Sequence, residues 1–145
     1  MAKRFGVELK ISRLLLNVGL LATRLKRFGE SEQILRAIQA YRADIPQPND
    51  FLALCLISQG RLAEAERELK ASLATFPDGQ MSKALLGVVY RESGRIPAGD
   101  KLLQEVLEDG RCEFAMQLAK LKLKPQQSAP ADRGVNVSQA HRMYG

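Results

Sequence analysis

The chain has little of the side-chain chemistry on which most enzymes depend. Its 145 residues include one histidine, His141, two cysteines and no tryptophan. A histidine-based triad needs that histidine beside a nucleophile in a folded domain, and zinc sites need close-spaced cysteines or histidines. Cys55 and Cys112 lie far apart, and neither a P-loop nor GxGxxG occurs. We therefore expect no enzyme, no metal site and no cofactor.

Long apolar runs are also missing. The segment LLLNVGLLA at 14–22 is far too short to span a bilayer. Glu8 interrupts the basic stretch before it, so we interpret the segment as a core helix and not as a secretion signal. Two isolated cysteines fit a reducing cytoplasm, and Cys55, inside an apolar stretch, should be a small core residue. The predictions are no membrane span and a cytoplasmic location.

Acidic residues are scarce near the N-terminus. Seven of the 22 basic residues but only one of the 16 acidic residues, Glu8, fall within 1–27, so the rest of the chain is neutral. A basic N-terminus can attract an acidic protein, a nucleic acid or a membrane surface. No pattern of interleaved aromatic residues suggests base stacking. We interpret the charge as a solvated helix face with a frayed end, and nucleic acid is not the expected partner.

A period of 34 residues organises the rest of the chain. Gly60 in SQGRLAEAEREL and Gly94 in ESGRIPAGDKLL occupy the same point of two similar segments. Aligned as 12–45, 46–79 and 80–113, three segments share small residues at the eighth and twentieth positions, arginine at the sixteenth and leucine at the twenty-fourth. In position order these are Gly19, Ala53 and Gly87; Ser31, Ala65 and Gly99; Arg27, Arg61 and Arg95; and Leu35, Leu69 and Leu103.

This pattern resembles the tetratricopeptide repeat (TPR) family. The fourth position, usually tryptophan, departs from the family, and the turn glycine is replaced by Lys26 in the first repeat. The resemblance implies an all-α fold, an α-solenoid of about three helix-turn-helix repeats. We expect a helical domain at 1–124 with these repeats and a capping helix at 112–124, or the first helix of an incomplete fourth repeat.

Apolar residues at helical intervals predict helices at 11–25 and 30–43. In the capping segment, Phe114, Leu118 and Leu121 form one stripe that should cover the last repeat. From Pro125 the composition changes, and 125–145 is predicted to be a disordered tail.

The resemblance also implies a concave groove lined by the first helix of each repeat. In that family, the second, fifth, ninth and twelfth positions of each repeat face the groove. The predicted partner-binding residues are Leu16, Leu20, Asp50, Leu54, Ile57, Met81, Ala84, Val88 and Arg91, with Arg13, Thr23 and Gln47 completing the register. The apolar centre favours an amphipathic helix or an extended segment as ligand.

The small size and repeat layout are also similar to the chaperones and assembly proteins of bacterial type III secretion systems. That similarity implies a non-enzymatic, cytoplasmic protein that masks a helical segment of a secretion-system subunit. The first alternative is a general scaffold or adaptor that joins two proteins through opposite faces. RNA binding through the basic N-terminus ranks below it. An apolar groove also leaves room for a homodimer.

Overall fold

The computed structural model describes residues 2–123, with side chains from Glu8 onward. Within that range the chain forms α-helices and no strand. In chain order the helices are α1 (Ala2–Arg24), α2 (Phe28–Tyr41), α3 (Gln47–Ser58), α4 (Leu62–Thr75), α5 (Gln80–Glu92), α6 (Ile96–Asp109) and α7 (Glu113–Leu123). None of these helices is both long enough and apolar enough to cross a membrane. The tail predicted at 125–145 lies outside the described residues.

The helices stack as consecutive pairs, α1 with α2, α3 with α4 and α5 with α6. Each new pair begins on the previous one, because α3 packs on α1 and α2, and α5 packs on α3 and α4. Helix α7 packs on α5 and α6 in the same way. It therefore occupies the place that the first helix of a fourth repeat would have. This arrangement confirms the predicted all-α stack of helix pairs.

Small residues let the two helices of a pair approach closely. A Cβ atom added to Gly19 would lie 2.8 Å from Cδ2 of Leu35, and one added to Gly87 would lie 2.9 Å from Cγ of Leu103. A Cβ atom on Gly99 would lie only 2.6 Å from the carbonyl oxygen of Gly87. Such distances are below van der Waals contact, so side chains at these positions would force the helices apart.

The turn inside each repeat keeps one geometry. Gly60 and Gly94 have φ angles of +74° and +84°, in the left-handed region that favours glycine, and Lys26 has +60° at the equivalent place. In all three turns the arginine at the sixteenth position donates its backbone N–H to the carbonyl five residues earlier, at 2.8–2.9 Å. The first repeat therefore makes the same turn without glycine.

The recurring arginines link neighbouring repeats. Arg61 pairs with Glu32 at 2.9 Å, and Arg95 pairs with Glu66 at 2.5 Å, each across 29 residues of sequence. The guanidinium of Arg95 also lies over the ring of Tyr90, 4.3 Å from its centroid. Hydrogen bonds from Arg95 and Lys70 lower the pKa of Glu66 to about 2. The arginine thus joins the turn of one repeat to the second helix of the repeat before it.

Two apolar stripes behave differently from expectation. Helix α1 begins at Ala2, well before residue 11, and it buries mainly small residues. Its buried side chains are Ser12, Leu16, Ala22 and Thr23, together with Gly19, whereas Ile11, Leu14, Leu15, Val18 and Leu21 are exposed. The close approach of α2 explains this choice, because a small-residue face is the one that fits against it.

Helix α7 also buries small residues and exposes large ones. Ala115 and Ala119 form its buried face, whereas Phe114 and Leu121 are 69% and 66% exposed. The expectation that these two large residues cover the last repeat is therefore wrong. Cys55 is fully buried among core side chains, as predicted, and both cysteines are free thiols.

We predict that Gly99→Ala destabilises the fold by about 1–3 kcal/mol, because the added methyl collides with the backbone of α5. Gly29→Ala is the matched control, since a Cβ atom there meets nothing within 4 Å and alanine favours the helix. It should leave stability unchanged or raise it by up to about 0.5 kcal/mol. Urea unfolding followed by circular dichroism measures both. Equal effects would show that the helix spacing does not depend on Gly99.

We also predict that Arg95→Ala lowers the midpoint of thermal unfolding more than Arg27→Ala does. The two arginines occupy the same repeat position, but the ion pair of Arg27 is to Glu30, three residues further along the same helix pair. Arg95 bridges to Glu66 and covers Tyr90. A larger loss for Arg27→Ala would contradict a bridging role for this arginine.

Candidate binding groove

A cavity of about 980 Å³ opens on the face made by the first helices of the repeats. Apart from Lys26 and Phe28, its lining comes from α1, α3, α5 and α7 and from the turns that lead into α3, α5 and α7. We call this cavity the groove. Its large apolar lining residues are Leu20, Phe28, Phe51, Leu54, Met81, Phe114 and Leu118. The repeat pattern places its predicted groove on the same first helices of the pairs.

Four of the nine predicted groove residues line it, namely Leu20, Asp50, Leu54 and Met81. Of the three that completed the register, Thr23 and Gln47 line it as well. The remaining predicted residues lie elsewhere. Leu16, Ala84 and Val88 are buried, Ile57 is half-buried against the core, and Arg91 pairs with Asp100 of α6.

Burial by neighbouring helices explains these differences. The fifth position of every repeat is buried, as Leu16, Asp50 and Ala84. Ala84 packs against Ala115 and Ala119 of α7, so the last helix covers this face of α5. Val88, one turn further along α5, is 6% exposed. The groove is therefore shorter on α5 than the register predicted, and it opens instead beside the start of α5 and α7.

Several lining residues were not predicted, chiefly three aromatic residues, Phe28, Phe51 and Phe114, and three basic ones, Arg24, Lys26 and Arg111. On α3 the lining follows a helical stripe through 47, 51, 54 and 58. That stripe is visible in the sequence. Nothing in the sequence, however, shows which of two adjacent stripes on a mostly apolar helix faces the groove.

Asp50 is a carboxylate in the floor of this apolar groove. It is 4% exposed and accepts a hydrogen bond from Oγ of Ser82, which lies 3.2 Å from Oγ of Ser72. Burial raises the pKa of Asp50 from 3.8 to about 6, and the hydrogen bond from Ser82 opposes that rise only in part. A buried charge is costly without a full set of partners.

Gln80 places a second acceptor in the groove floor. Its Nε2 donates to the carbonyl of Asp78 at 3.2 Å, while its buried Oε1 has no hydrogen-bond partner among the described residues. Buried acceptors of this kind are normally satisfied. Asp50 and Gln80 together make the floor a place where a hydrogen-bond donor from a bound segment would be stabilised.

Charges surround the groove unevenly. Arg24 and Lys26 lie at the end formed by α1, and Arg111 lies at the start of α7, where it pairs with Asp109 at 2.7 Å. No three histidine, cysteine or acidic side chains between residues 8 and 123 are grouped closely enough to hold a metal ion. The groove thus offers apolar area, buried acceptors and basic edges.

The fold matches a repeat domain of known structure. The chain superposes on the crystal structure of the Sgt2 TPR domain from Aspergillus fumigatus with a TM-score of 0.64, at 15% sequence identity, over 85% of this chain and 82% of that one. No protein-family model matches the sequence, and no curated protein matches it significantly. The superposition confirms the TPR-like solenoid that the 34-residue period predicted, and at this identity it establishes the fold alone.

We predict that Asp50→Asn stabilises the protein at pH 8 but not at pH 4. Because the folded pKa lies above the usual 3.8, folding favours the protonated carboxyl, and the contribution of Asp50 to stability falls as pH rises from about 4 to 6. The variant should therefore gain about 2–3 kcal/mol at pH 8. Urea unfolding at pH 4, 6 and 8 tests this. A gain that does not vary with pH would contradict the burial of a charge at Asp50.

Proposed function

We propose that this chain is a protein-binding repeat protein whose groove holds an amphipathic helix or extended segment of a client. The observation that supports this most strongly is the lining of the groove. Apolar side chains from four successive first helices surround a cavity of about 980 Å³ that is open to solvent. The lining runs across helices of every repeat, and such a continuous apolar groove suits an extended or helical segment of polypeptide.

The polar groups of the groove indicate how such a segment binds. TPR grooves that clamp a terminal carboxylate need several lysine, arginine or asparagine side chains in the groove, whereas here the floor contains Asp50 and Gln80. Both are acceptors, so a lysine, an arginine or a free N–H of the client satisfies them. The basic residues lie at the edges, where they suit acidic positions on the exposed side of the client. An amphipathic helix with one donor inside its apolar face meets these requirements.

For the client we propose a subunit of a bacterial type III secretion system. Support comes from the three repeats and from their similarity in layout to the chaperones and assembly factors of those systems. The chain would act in the cytoplasm and without catalysis. Burying the apolar face of a needle, translocator or export subunit would prevent that subunit from polymerising before export.

A general scaffold or adaptor is the second candidate. The exposed apolar residues of α1 favour it, because they lie outside the groove and offer a second surface. The two functions differ in what accompanies the chain in its native cell. A chaperone retains one small client at near-equal amount, whereas an adaptor retains two or more larger partners.

We predict that Phe114→Glu weakens client binding at least about tenfold, because it places a charge in the apolar wall of the groove. Phe114 is largely exposed, so the variant should keep its helical signal in circular dichroism. Leu121→Glu is the matched control, since Leu121 has the same exposure on the same helix but does not line the groove. Val88→Glu should instead unfold the protein, because that side chain is buried.

The measurement is affinity purification of the tagged full chain from its native cell, with mass spectrometry and quantification of what the wild type and variants retain. One small secretion-system protein that is lost with Phe114→Glu and retained with Leu121→Glu supports the chaperone. Several unrelated proteins support the adaptor. Equal retention by both variants contradicts groove binding, and a set lost on nuclease treatment identifies nucleic acid as the partner.

A further inference from the structure

The exposed face of α1 has the spacing of a coiled-coil seam. Large apolar residues stand at Ile11, Leu14, Val18, Leu21 and Leu25, alternating by three and four residues. All five side chains are exposed, with Leu14 at 63% and Leu21 at 54%. Because the opposite face of α1 packs on α2 and α3, this seam has no partner among the described residues. We call it the α1 seam.

The residue types in the α1 seam match a particular kind of helix packing. If Ile11 is heptad position a, then Val18 and Leu25 are also a, and Leu14 and Leu21 are d. Ile11 and Val18 are β-branched, and a β-branched residue at a with leucine at d favours two-stranded coiled coils; Leu25, at the third a position, follows directly after α1. Packing of α1 on α2 and α3 does not explain this pattern of large residues, because the buried side of α1 consists mainly of small residues. The seam is thus shaped for one additional helix.

A recess beside the seam supports a helix as its occupant. A cavity of about 420 Å³ lies between α1 and α2, and its lining includes Ile11, Leu15, Ile34 and Tyr41. Side chains of a packed helix fill such a recess in the manner of knobs in holes. A flat lipid surface would contact the ridge of α1 and leave the recess unfilled. The shape therefore favours a protein helix over a membrane.

The charges beside the seam define the chemistry of that helix. The g positions are Lys10, Asn17 and Arg24, all exposed, and Arg13 stands on the same side. On the other side the e positions are Leu15 and the buried Ala22, with Glu8 at the beginning. The partner helix therefore meets basic residues along one flank and apolar surface along the other. Acidic residues on its facing flank would complete the interface.

A second copy of this chain does not supply such a flank. In an antiparallel pair, Lys10 of one copy would face Arg24 of the other, and like charges would repel. In a parallel pair, Lys10 and Asn17 at the g positions would face Leu15 and Ala22, which carry no charge. Glu8 is the one acidic residue in 1–27. Charge complementarity therefore favours another protein over a second copy of this chain as the occupant of the α1 seam.

We propose that the α1 seam is a second protein-binding surface, which takes an amphipathic helix with an apolar a/d stripe and an acidic flank from another protein. This surface is independent of what the groove binds. It gives the chain two partners on separate faces, one in the groove and one on the outer side of α1.

The test uses two synthetic peptides of about four heptads, both with isoleucine at a and leucine at d, one with glutamate and one with lysine at e and g. Fluorescence anisotropy measures their binding to the full chain. The acidic peptide should bind at least about tenfold more tightly than the basic one, and high salt should weaken it. Equal binding of both peptides, or binding of neither, would overturn the proposal.

Variants of the chain locate the binding. Leu14→Glu and Leu21→Glu should each weaken the acidic peptide at least about tenfold without loss of fold, because both side chains are exposed. Leu121→Glu should have no effect. Lys10→Glu combined with Asn17→Glu should shift the preference toward the lysine peptide, and neither residue lines the groove.

Three outcomes would overturn the proposal in distinguishable ways. Loss of peptide binding in Phe114→Glu would place the peptide in the groove. A dimer of the free chain that Leu14→Glu converts to monomer, detected by analytical ultracentrifugation, would identify a second copy as the occupant. Binding to phosphatidylserine vesicles that Leu14→Glu abolishes would identify a membrane. The dimer and vesicle results do not bear on whether the groove holds a client, since that test depends on Phe114 and not on the α1 seam.

Discussion

The close approach of the two helices in each repeat is the constraint on which the rest of the structure depends. At Gly19, Gly87 and Gly99 there is no room for a side chain, and the leucines at the twenty-fourth position fill the space opposite. Because the same pairing recurs every 34 residues, the first helices all fall on one side of the stack. The groove is a consequence of that regularity, since residues of α1, α3, α5 and α7 converge there without any element dedicated to it.

The terminal helices α1 and α7 expose large apolar residues in different places, one on the outer face of the stack and one in the groove wall. At the C-terminal end, the alanines of α7 form one buried cluster with Ala84 of α5, and Phe114 becomes part of the groove wall. At the N-terminal end, α1 turns its small residues inward and leaves its large aliphatic residues outside. The two proposed binding surfaces follow from which residues the last helix at each end buries and which it leaves exposed.

The sequence predicted the repeats well because their spacing constrains residue identity directly. A residue at the eighth or twentieth position must be small, and the recurring arginine is needed for bridges such as that of Arg95 to Glu66. These requirements are local and repeat in the same form, so they can be recognised in one sequence. Even the turn without glycine was placed correctly, and Lys26 adopts the left-handed conformation found at Gly60.

The groove was predicted only in part, because its lining depends on how each helix is rotated about its axis. Asp50 and Leu54 line the cavity, and so does Phe51 between them, which the predicted register does not include. Large apolar residues were also assumed to be buried, whereas on α1 and α7 small residues fit the available space and leucines stay outside. Apolar periodicity identifies a helix, but which face is buried depends on the neighbour that packs against it.

The proposed function requires that the client binds in the groove and not on the outer helices. Site-specific photo-crosslinking in the native cell distinguishes the two places, with a benzoylphenylalanine at 114 in the groove wall and another at 104 on the exposed surface of α6. If the groove holds the client, position 114 crosslinks to one discrete protein and position 104 does not. Crosslinking of the same protein from position 104 alone would show that the client binds the outer surface instead.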